Sequence, residues 1–347
     1  MRDNTLVIPS RADGEGPLNR SKIHARNTFA IHEGLASNRP TFGLCNFNAN
    51  VRSFGPSRTG IVLARLRMKA VQGLGMKPTP LKIRSVTIGG REPAFILGPC
   101  VIESEKFVRR MAQKISKICD AENVSFIFKA SYDKANRTSV KSFRGIGGRE
   151  GCEILASIGR ELNIPVTTDV HSPSEATMAG QFIDLLQIPA FLCRQTDLLQ
   201  ATAETGRTVN VKKGQFLAPW DVKNIAEKLE KFGAKQFLFT ERGTTFGYNN
   251  LVADFRSLAW IREAGYRVMF DATHSVQRPG GAGESTSGDG ELAPFLARAA
   301  MAAGCDGIFM EVHENPAAAL SDGPNQLPLK NLPKVLRVLK AVHAAVS

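Results

Sequence analysis

No apolar stretch in this 347-residue chain is long enough to cross a bilayer. Runs such as "FIDLLQIPAFL" stop well short of the roughly 18 residues a span needs. No hydrophobic segment follows a charged N-terminus, so no secretory leader is expected and the chain reads as soluble and cytoplasmic. Cysteine pairs are missing too. Cys45, Cys100, Cys119, Cys152, Cys193 and Cys305 are scattered, which excludes a disulfide framework and fits a reducing compartment. Any cysteine with a special role must then be a ligand or a nucleophile. GxxxxGK[ST] and a strand-following GxGxxG are both absent, which argues against nucleotide cradling.

A formal charge of +13 raises the question of nucleic acid, so its distribution matters. Residues 1–75 hold eleven Lys/Arg against four Asp/Glu, a net of +7, which leaves 13 − 7 = +6 for residues 76–347. That first segment has no sustained period and is broken by "ADGEGPLNRSK", "SNRPTFG" and "FGPSRTG". It lacks a groove-reading element with interleaved aromatics, so no nucleic-acid partner is expected. It reads as a poorly ordered extension, or as sequence upstream of a start at Met76; a transit peptide has a similar composition.

From Ala94 onward eight short apolar runs recur, at 94–98, 124–130, 165–170, 183–189, 208–212, 235–240, 267–272 and 306–312, each followed by an amphipathic stretch. Helix candidates include "EKFVRRMAQKISKICDAE", "GGREGCEILASIGREL", "DVKNIAEKLEKFG", "LVADFRSLAWIREAG" and "ELAPFLARAAMAAG", with "PLKNLPKVLRVLKAVHAAV" as a ninth, helix-like tail. Eight strand–helix units predict a closed (β/α)8 barrel over residues 76–347, with "LKIRSVTIGG" as a hairpin across its bottom.

In such a barrel, catalytic groups sit at the C-terminal ends of the strands. Those ends carry Cys100; Lys129 and Ser131; Asp169 and His171; Pro189 and Ala190; Lys212 and Lys213; Glu241 and Arg242; His274; and Glu311 and His313. A single loop lysine is usually just solvated and a single cysteine usually just packed, but eight successive strand ends need not all carry such residues. Lys129, Lys134, Arg137, Lys212 and Arg242 offer the donors that phosphate and carboxylate oxygens require. Cys100, His274, Glu311 and Asp322 are a mixed sulfur, nitrogen and oxygen set suited to Zn, Fe or Mn, although they form no compact motif. "RPGGAGESTSGDGE" reads equally as a surface loop or as a lid over the site.

The motifs "LGPCVIES", "FKASYDKANRTS", "VTTDVH", "LLQIPAFLCRQTDLL", "VNVKKGQF", "TERGTTFGYNNLV", "FDATHSVQRPGG" and "FMEVHENP…LSDGPNQLPL" closely resemble the 3-deoxy-D-manno-octulosonate 8-phosphate (KDO 8-phosphate) synthases from about Met76 to the C-terminus. The resemblance implies a (β/α)8 enzyme of lipopolysaccharide inner-core synthesis that condenses phosphoenolpyruvate with arabinose 5-phosphate and releases phosphate. Cys100, where the metal-independent branch has Asn, implies the metal-dependent branch, with Cys100, His274, Glu311 and Asp322 as ligands. Lys129, Lys134, Lys212, Arg242 and the Pro189–Ala190 backbone resemble the phosphoenolpyruvate site. Ser131, Asn136 and Arg137 resemble the arabinose 5-phosphate side, and Asp169 and His171 family residues beside the reacting centre. Arg194 resembles an arginine that reaches a neighbouring subunit's sugar phosphate, which implies a homo-oligomer, usually a tetramer. A DAHP synthase using erythrose 4-phosphate and a Schiff-base aldolase acting through Lys129 are the competing readings; "KANRTS" favours the arabinose 5-phosphate enzyme over the first.

Overall fold

The computed structural model describes residues 78–136, 139–140, 142–280 and 287–347. Residues 1–75 and Arg137 therefore lie outside the described residues, as does the middle of the Gly-rich piece after His274.

The alternating "LKIRSVTI" forms a hairpin, β1 (Leu81–Ile83) and β2 (Val86–Ile88), paired antiparallel around Arg84 and Ser85. Arg84 turns the chain at φ 50, and its guanidinium donates to the carbonyls of Ile164 (2.8 Å) and Gly159 (3.2 Å). The hairpin is thereby pinned to the barrel.

Eight strand–helix units follow: β3 (Ala94–Gly98) and α1 (Glu105–Ala121); β4 (Phe126–Lys129) and α2 (Gly148–Glu161); β5 (Val166–Asp169) and α3 (Pro173–Ala179); β6 (Leu185–Ile188) and α4 (Thr196–Glu204); β7 (Thr208–Lys212) and α5 (Val222–Lys231); β8 (Phe237–Glu241) and α6 (Arg256–Glu263); β9 (Val268–Asp271) and α7 (Ala293–Ala302); β10 (Gly307–His313) and α8 (Leu332–Val346). Each strand pairs in parallel with the next, and β10 pairs with both β9 and β3, so the sheet closes into the expected (β/α)8 barrel. The C-terminal tail is thus the eighth barrel helix rather than an additional ninth.

Alternation along the strands separates two apolar layers. Phe95, Leu97, Phe128, Leu186, Val209, Phe239, Phe270 and Ile308 face out against the helices. Ile96, Ile127, Leu185, Leu238, Met269 and Phe309 face in, where Ile83, Val86 and Ile88 of the hairpin close the lower end. Burying each such side chain contributes about 1.5–3 kcal/mol, so this plug anchors the scaffold beneath the site.

Helix α1 follows its sequence closely. Ser104 accepts from the Phe107 amide, and Val108, Met111, Ala112, Ile115 and Cys119 line the buried face at helical spacing. "LVADFRSLAWIREAG" is a correction: Leu251–Val252 is a short strand paired with Thr244–Thr245, and the helix begins only at Arg256, where Asp254 accepts from the Arg256 amide. Further along, Gln277–Arg278 and Ser287–Gly288 pair antiparallel, giving the Gly-rich piece a ribbon at its base. Among the described residues no helix is long and apolar enough to cross a membrane.

Candidate active site

Two residues beyond the lower apolar layer, the inward positions become polar. Ile127 is followed by Lys129, Leu185 by Gln187, Leu238 by Thr240, Met269 by Asp271 and Phe309 by Glu311. At the same level Gly98 leaves room for the neighbouring backbone, because a Cβ there would lie 1.8 Å from the Lys129 carbonyl oxygen. Above these residues opens a cavity of about 380 Å³, lined among others by Lys129, Lys134, Asp169, Lys212, Arg242 and His274.

The cations are held by anions. Lys129 Nζ donates to Glu311 Oε1 (2.6 Å) and to the Cys100 carbonyl (2.9 Å). Lys212 Nζ donates to Asp271 and lies 3.3 Å from the centroid of the Phe309 ring. Asp271 also accepts from the Thr273 and His274 amides, so despite its burial Lys212 and His274 hold it well below the ordinary carboxylate value. Arg242 donates through Nη2 to Gln277 Oε1 (2.7 Å), whereas its buried Nη1 has no partner. A buried guanidinium N–H left unpaired at a cavity wall is a donor for an anionic ligand.

A directional hydrogen-bond chain runs along the barrel wall through four consecutive strands, from β8 to β5, and ends at the cavity. Thr240 Oγ1 donates to Asn210 Oδ1 (2.7 Å), Asn210 Nδ2 to Gln187 Oε1 (2.9 Å), and Gln187 Nε2 to Asp169 Oδ1 (2.6 Å). Ser131 donates to the other Asp169 oxygen. Burial works to raise the Asp169 pKa, but Lys129, Lys134, His171 and the Gln187 bond outweigh it and keep the group an anion.

Of the four expected ligands, three come together. One ligand atom from each of Cys100, Glu311 and Asp322 lies within 4.8 Å of the other two. His274 stands apart from this trio: its Nδ1 is 2.8 Å from Asp271 Oδ2, and its Nε2 is 3.8 Å from Glu311 Oε1. The donor set suits a divalent metal. Glu311 Oε2 is buried without a hydrogen-bond partner, and burial with the Asp322 and Glu311 charges pushes the Cys100 thiol well above its ordinary pKa. A cation there would satisfy the carboxylate oxygen and supply the charge that thiol ionisation needs. Asp322 adopts the left-handed region, φ 50 and ψ 28, uncommon for a residue other than glycine.

The remaining expected residues divide. Lys134, Asn136, His171, Pro189 and Ala190 line the cavity, whereas Ser131 is fully buried, donates to Asp169 and does not line it. Arg194 is exposed and does not line the cavity of its own chain. Several strand-end residues turn away. Lys213 is buried in a structural role, donating to the carbonyls of Gly214 (3.2 Å) and Leu217 (3.0 Å), and His313 packs on Phe107. Sequence reasoning missed Gln187, Asn210, Thr240 and Asp271. The signal was there: each is a polar inward position directly after an apolar outward one, Leu186, Val209, Phe239 and Phe270 respectively.

The DAHP synthetase I family model matches residues 71–347. The 2-dehydro-3-deoxyphosphooctonate aldolase of Pelobacter propionicus is 57% identical over 265 residues, 76% of this chain and 97% of that protein. Those of a Cyanothece species (56% over 263 residues, 76% and 96%) and a Synechococcus species (59% over 250 residues, 72% and 88%) bear the same name. The chain belongs to the 2-dehydro-3-deoxyphosphooctonate aldolase, or KDO 8-phosphate synthase, branch of the DAHP synthetase I family. Membership explains why reactive residues recur at successive strand ends of this synthase barrel.

Proposed function

We propose that the chain condenses phosphoenolpyruvate with arabinose 5-phosphate and water to give KDO 8-phosphate and inorganic phosphate, in the cytoplasm and for lipopolysaccharide core synthesis. The observation that carries this reading is the cavity wall itself, where Lys129, Lys134, Lys212 and the unpaired N–H of Arg242 surround one space in a chain of this family. Two anionic substrates repel each other. Clustered Lys and Arg offset that repulsion and hold the enol carbon against the aldehyde carbon. Lys129, Lys134, Lys212, Arg242 and the Pro189–Ala190 backbone bind phosphoenolpyruvate; Ser131, Asn136 and Arg137 serve arabinose 5-phosphate; Asp169 and His171 stand beside the reacting carbons.

C3 of phosphoenolpyruvate attacks the aldehyde, water adds at C2, and the hemiketal phosphate expels phosphate by C–O cleavage. Cys100, Glu311 and Asp322, with His274 turning toward them, would hold a divalent Zn, Fe or Mn ion, which would acidify the water or polarise the aldehyde oxygen. The engagement of Lys129 Nζ with Glu311 and Cys100 disfavours a Schiff base, since a nucleophilic amine would first have to leave both acceptors.

The activity is assigned to residues 76–347, with residues 1–75 as an extension. Exposed Arg194 supports a homotetramer in which it reaches the neighbouring sugar phosphate; full turnover by a species sedimenting as a single chain would contradict that assembly. For the chemistry, phosphoenolpyruvate labelled with 18O at its bridging oxygen is turned over with arabinose 5-phosphate. The label is expected in the released phosphate, and its retention in the sugar acid would overturn the proposed cleavage.

A further inference from the structure

Glu175 lies outside every residue set assigned so far, yet it serves one of the cavity residues. The loop after β5 reads His171-Ser172-Pro173-Ser174-Glu175, and Ser172 caps α3 by accepting from the Glu175 amide (3.3 Å). In the usual capping box, the Glu three residues on reaches back to the amide of the cap residue. Here it reaches one residue further. Glu175 Oε2 accepts from the His171 amide (3.0 Å), lies 2.9 Å from His171 Nδ1, and accepts from the Tyr132 hydroxyl (2.7 Å).

All three contacts meet at one carboxylate oxygen, and Tyr132 is itself fully buried, with its ring edge-on to His171. Burial works to raise the Glu175 pKa, but the bonds from His171 and Tyr132 outweigh it and bring the group down to about 2. Arg144, held by Asp133, adds a cation nearby. An ionised carboxylate can only accept, so it requires a proton on Nδ1 of His171. In the neutral ring the other nitrogen is then the one without a proton, and His171 lines the cavity.

We propose that Glu175, supported by Tyr132, is a positioning residue of the condensation: it fixes His171 in the Nδ1-protonated form, leaving Nε2 to accept a proton from the reacting water. This deepens the proposed function and rests on it. As the water oxygen bonds to C2, its proton passes to Nε2; the C2–C3 π pair forms the new C–C bond, and the aldehyde oxygen, left with the carbonyl π pair, takes that proton to become the hydroxyl. One proton leaves the water and one joins the aldehyde oxygen, so the step balances. Through the transfer, the Glu175 carboxylate faces the transient imidazolium.

The test uses full-length chain with 15N-labelled histidine, the His171 signals being assigned by their loss in His171→Gln. The wild type is expected to show a protonated Nδ1. Because Glu175→Leu alone would strand the buried Tyr132 hydroxyl, the variant to make is Tyr132→Phe/Glu175→Leu. It is expected to shift the ring toward Nε2 protonation and to lower kcat about 10–100-fold, with KM for both substrates moving less than about threefold. Glu175→Gln keeps an acceptor oxygen and should restore Nδ1 protonation with part of the turnover. A wild-type His171 protonated on Nε2, or wild-type kcat in the double variant, would overturn the proposal. A protonated Nδ1 in a chain that does not turn over these substrates would sink the reaction assigned above and leave the positioning intact.

Discussion

The lower and upper halves of the barrel interior are built by the same strands, two residues apart, and they do opposite things. Below, Ile127, Leu185, Leu238, Met269 and Phe309 close on the hairpin side chains Ile83, Val86 and Ile88. Above, Lys129, Gln187, Thr240, Asp271 and Glu311 bury charge, hydroxyl and amide groups whose partners are other polar groups at that end of the barrel: Lys129 with Glu311, Gln187 with Asn210 and Asp169, Thr240 with Asn210, and Asp271 with Lys212. The lower layer stabilises by removing apolar surface from water, whereas the upper layer carries a desolvation cost that its ion pairs have to offset. Moving one step of the period-2 alternation up each strand exchanges stability for chemistry. In a barrel that step always leads toward the C-terminal mouth, where substrates enter.

If this division holds, neutralising a charged pair in the upper layer should abolish turnover without loosening the fold. Lys129→Met/Glu311→Leu is expected to lower phosphate release by at least about 10³-fold, while the thermal midpoint stays level or rises. A large fall in the midpoint would mean that the upper charges also hold the barrel together. The converse substitution lies directly below. Ile127→Ala should cost about 2–5 kcal/mol in chemical denaturation and leave kcat within a few-fold of wild type.

An intermediate case sharpens the boundary between the layers. Thr240→Val removes the first donor of the chain that ends on Asp169 and leaves Asn210 Oδ1 unpaired. A loss of about 1–3 kcal/mol in denaturation is expected, with a measurable drop in kcat.

The smallest effect is one of pH. The folded pKa of Glu175, about 2, lies below its unfolded value of 4.5, so its stabilisation is fully present above 4.5 and is lost as pH falls toward 2. The midpoint difference between wild type and Glu175→Gln should be largest at neutral pH and shrink through that acid window. A difference that stays constant from pH 6 to pH 3 would remove the carboxylate from the account.

Much of this was legible before any coordinates. Short β-branched runs at regular spacing gave the eight strands, and their ends gave Lys129, Asp169, Lys212, Arg242, Cys100 and Glu311, because a parallel barrel delivers strand ends to one face. Register was not legible. Lys212 and Lys213 are adjacent and chemically identical; the resemblance singled out the first, and the closed sheet gives the physical reason, since Lys212 lines the cavity while Lys213 is spent on the Gly214 and Leu217 carbonyls. The Gln187, Asn210 and Thr240 chain escaped for a related reason, since amide and hydroxyl groups on separate strands meet only after closure. "SPSE" reads locally as a helix cap, and its second use on His171 depends on Tyr132 arriving from a different strand end. The expected four-ligand group was legible by type, but the geometry gathers Cys100, Glu311 and Asp322 and sets His274 against Asp271.

The central claim is that the upper layer is a phosphoenolpyruvate site whose second substrate is arabinose 5-phosphate and whose trio of Cys100, Glu311 and Asp322 holds a metal. Its most direct test is phosphate release by the full-length chain from phosphoenolpyruvate, with arabinose 5-phosphate or erythrose 4-phosphate, before chelation, after exhaustive chelation and after divalent metal is returned. The expected result is release with arabinose 5-phosphate only, lost on chelation and recovered with metal. Release with erythrose 4-phosphate alone would contradict the substrate, and release untouched by chelation would contradict the metal.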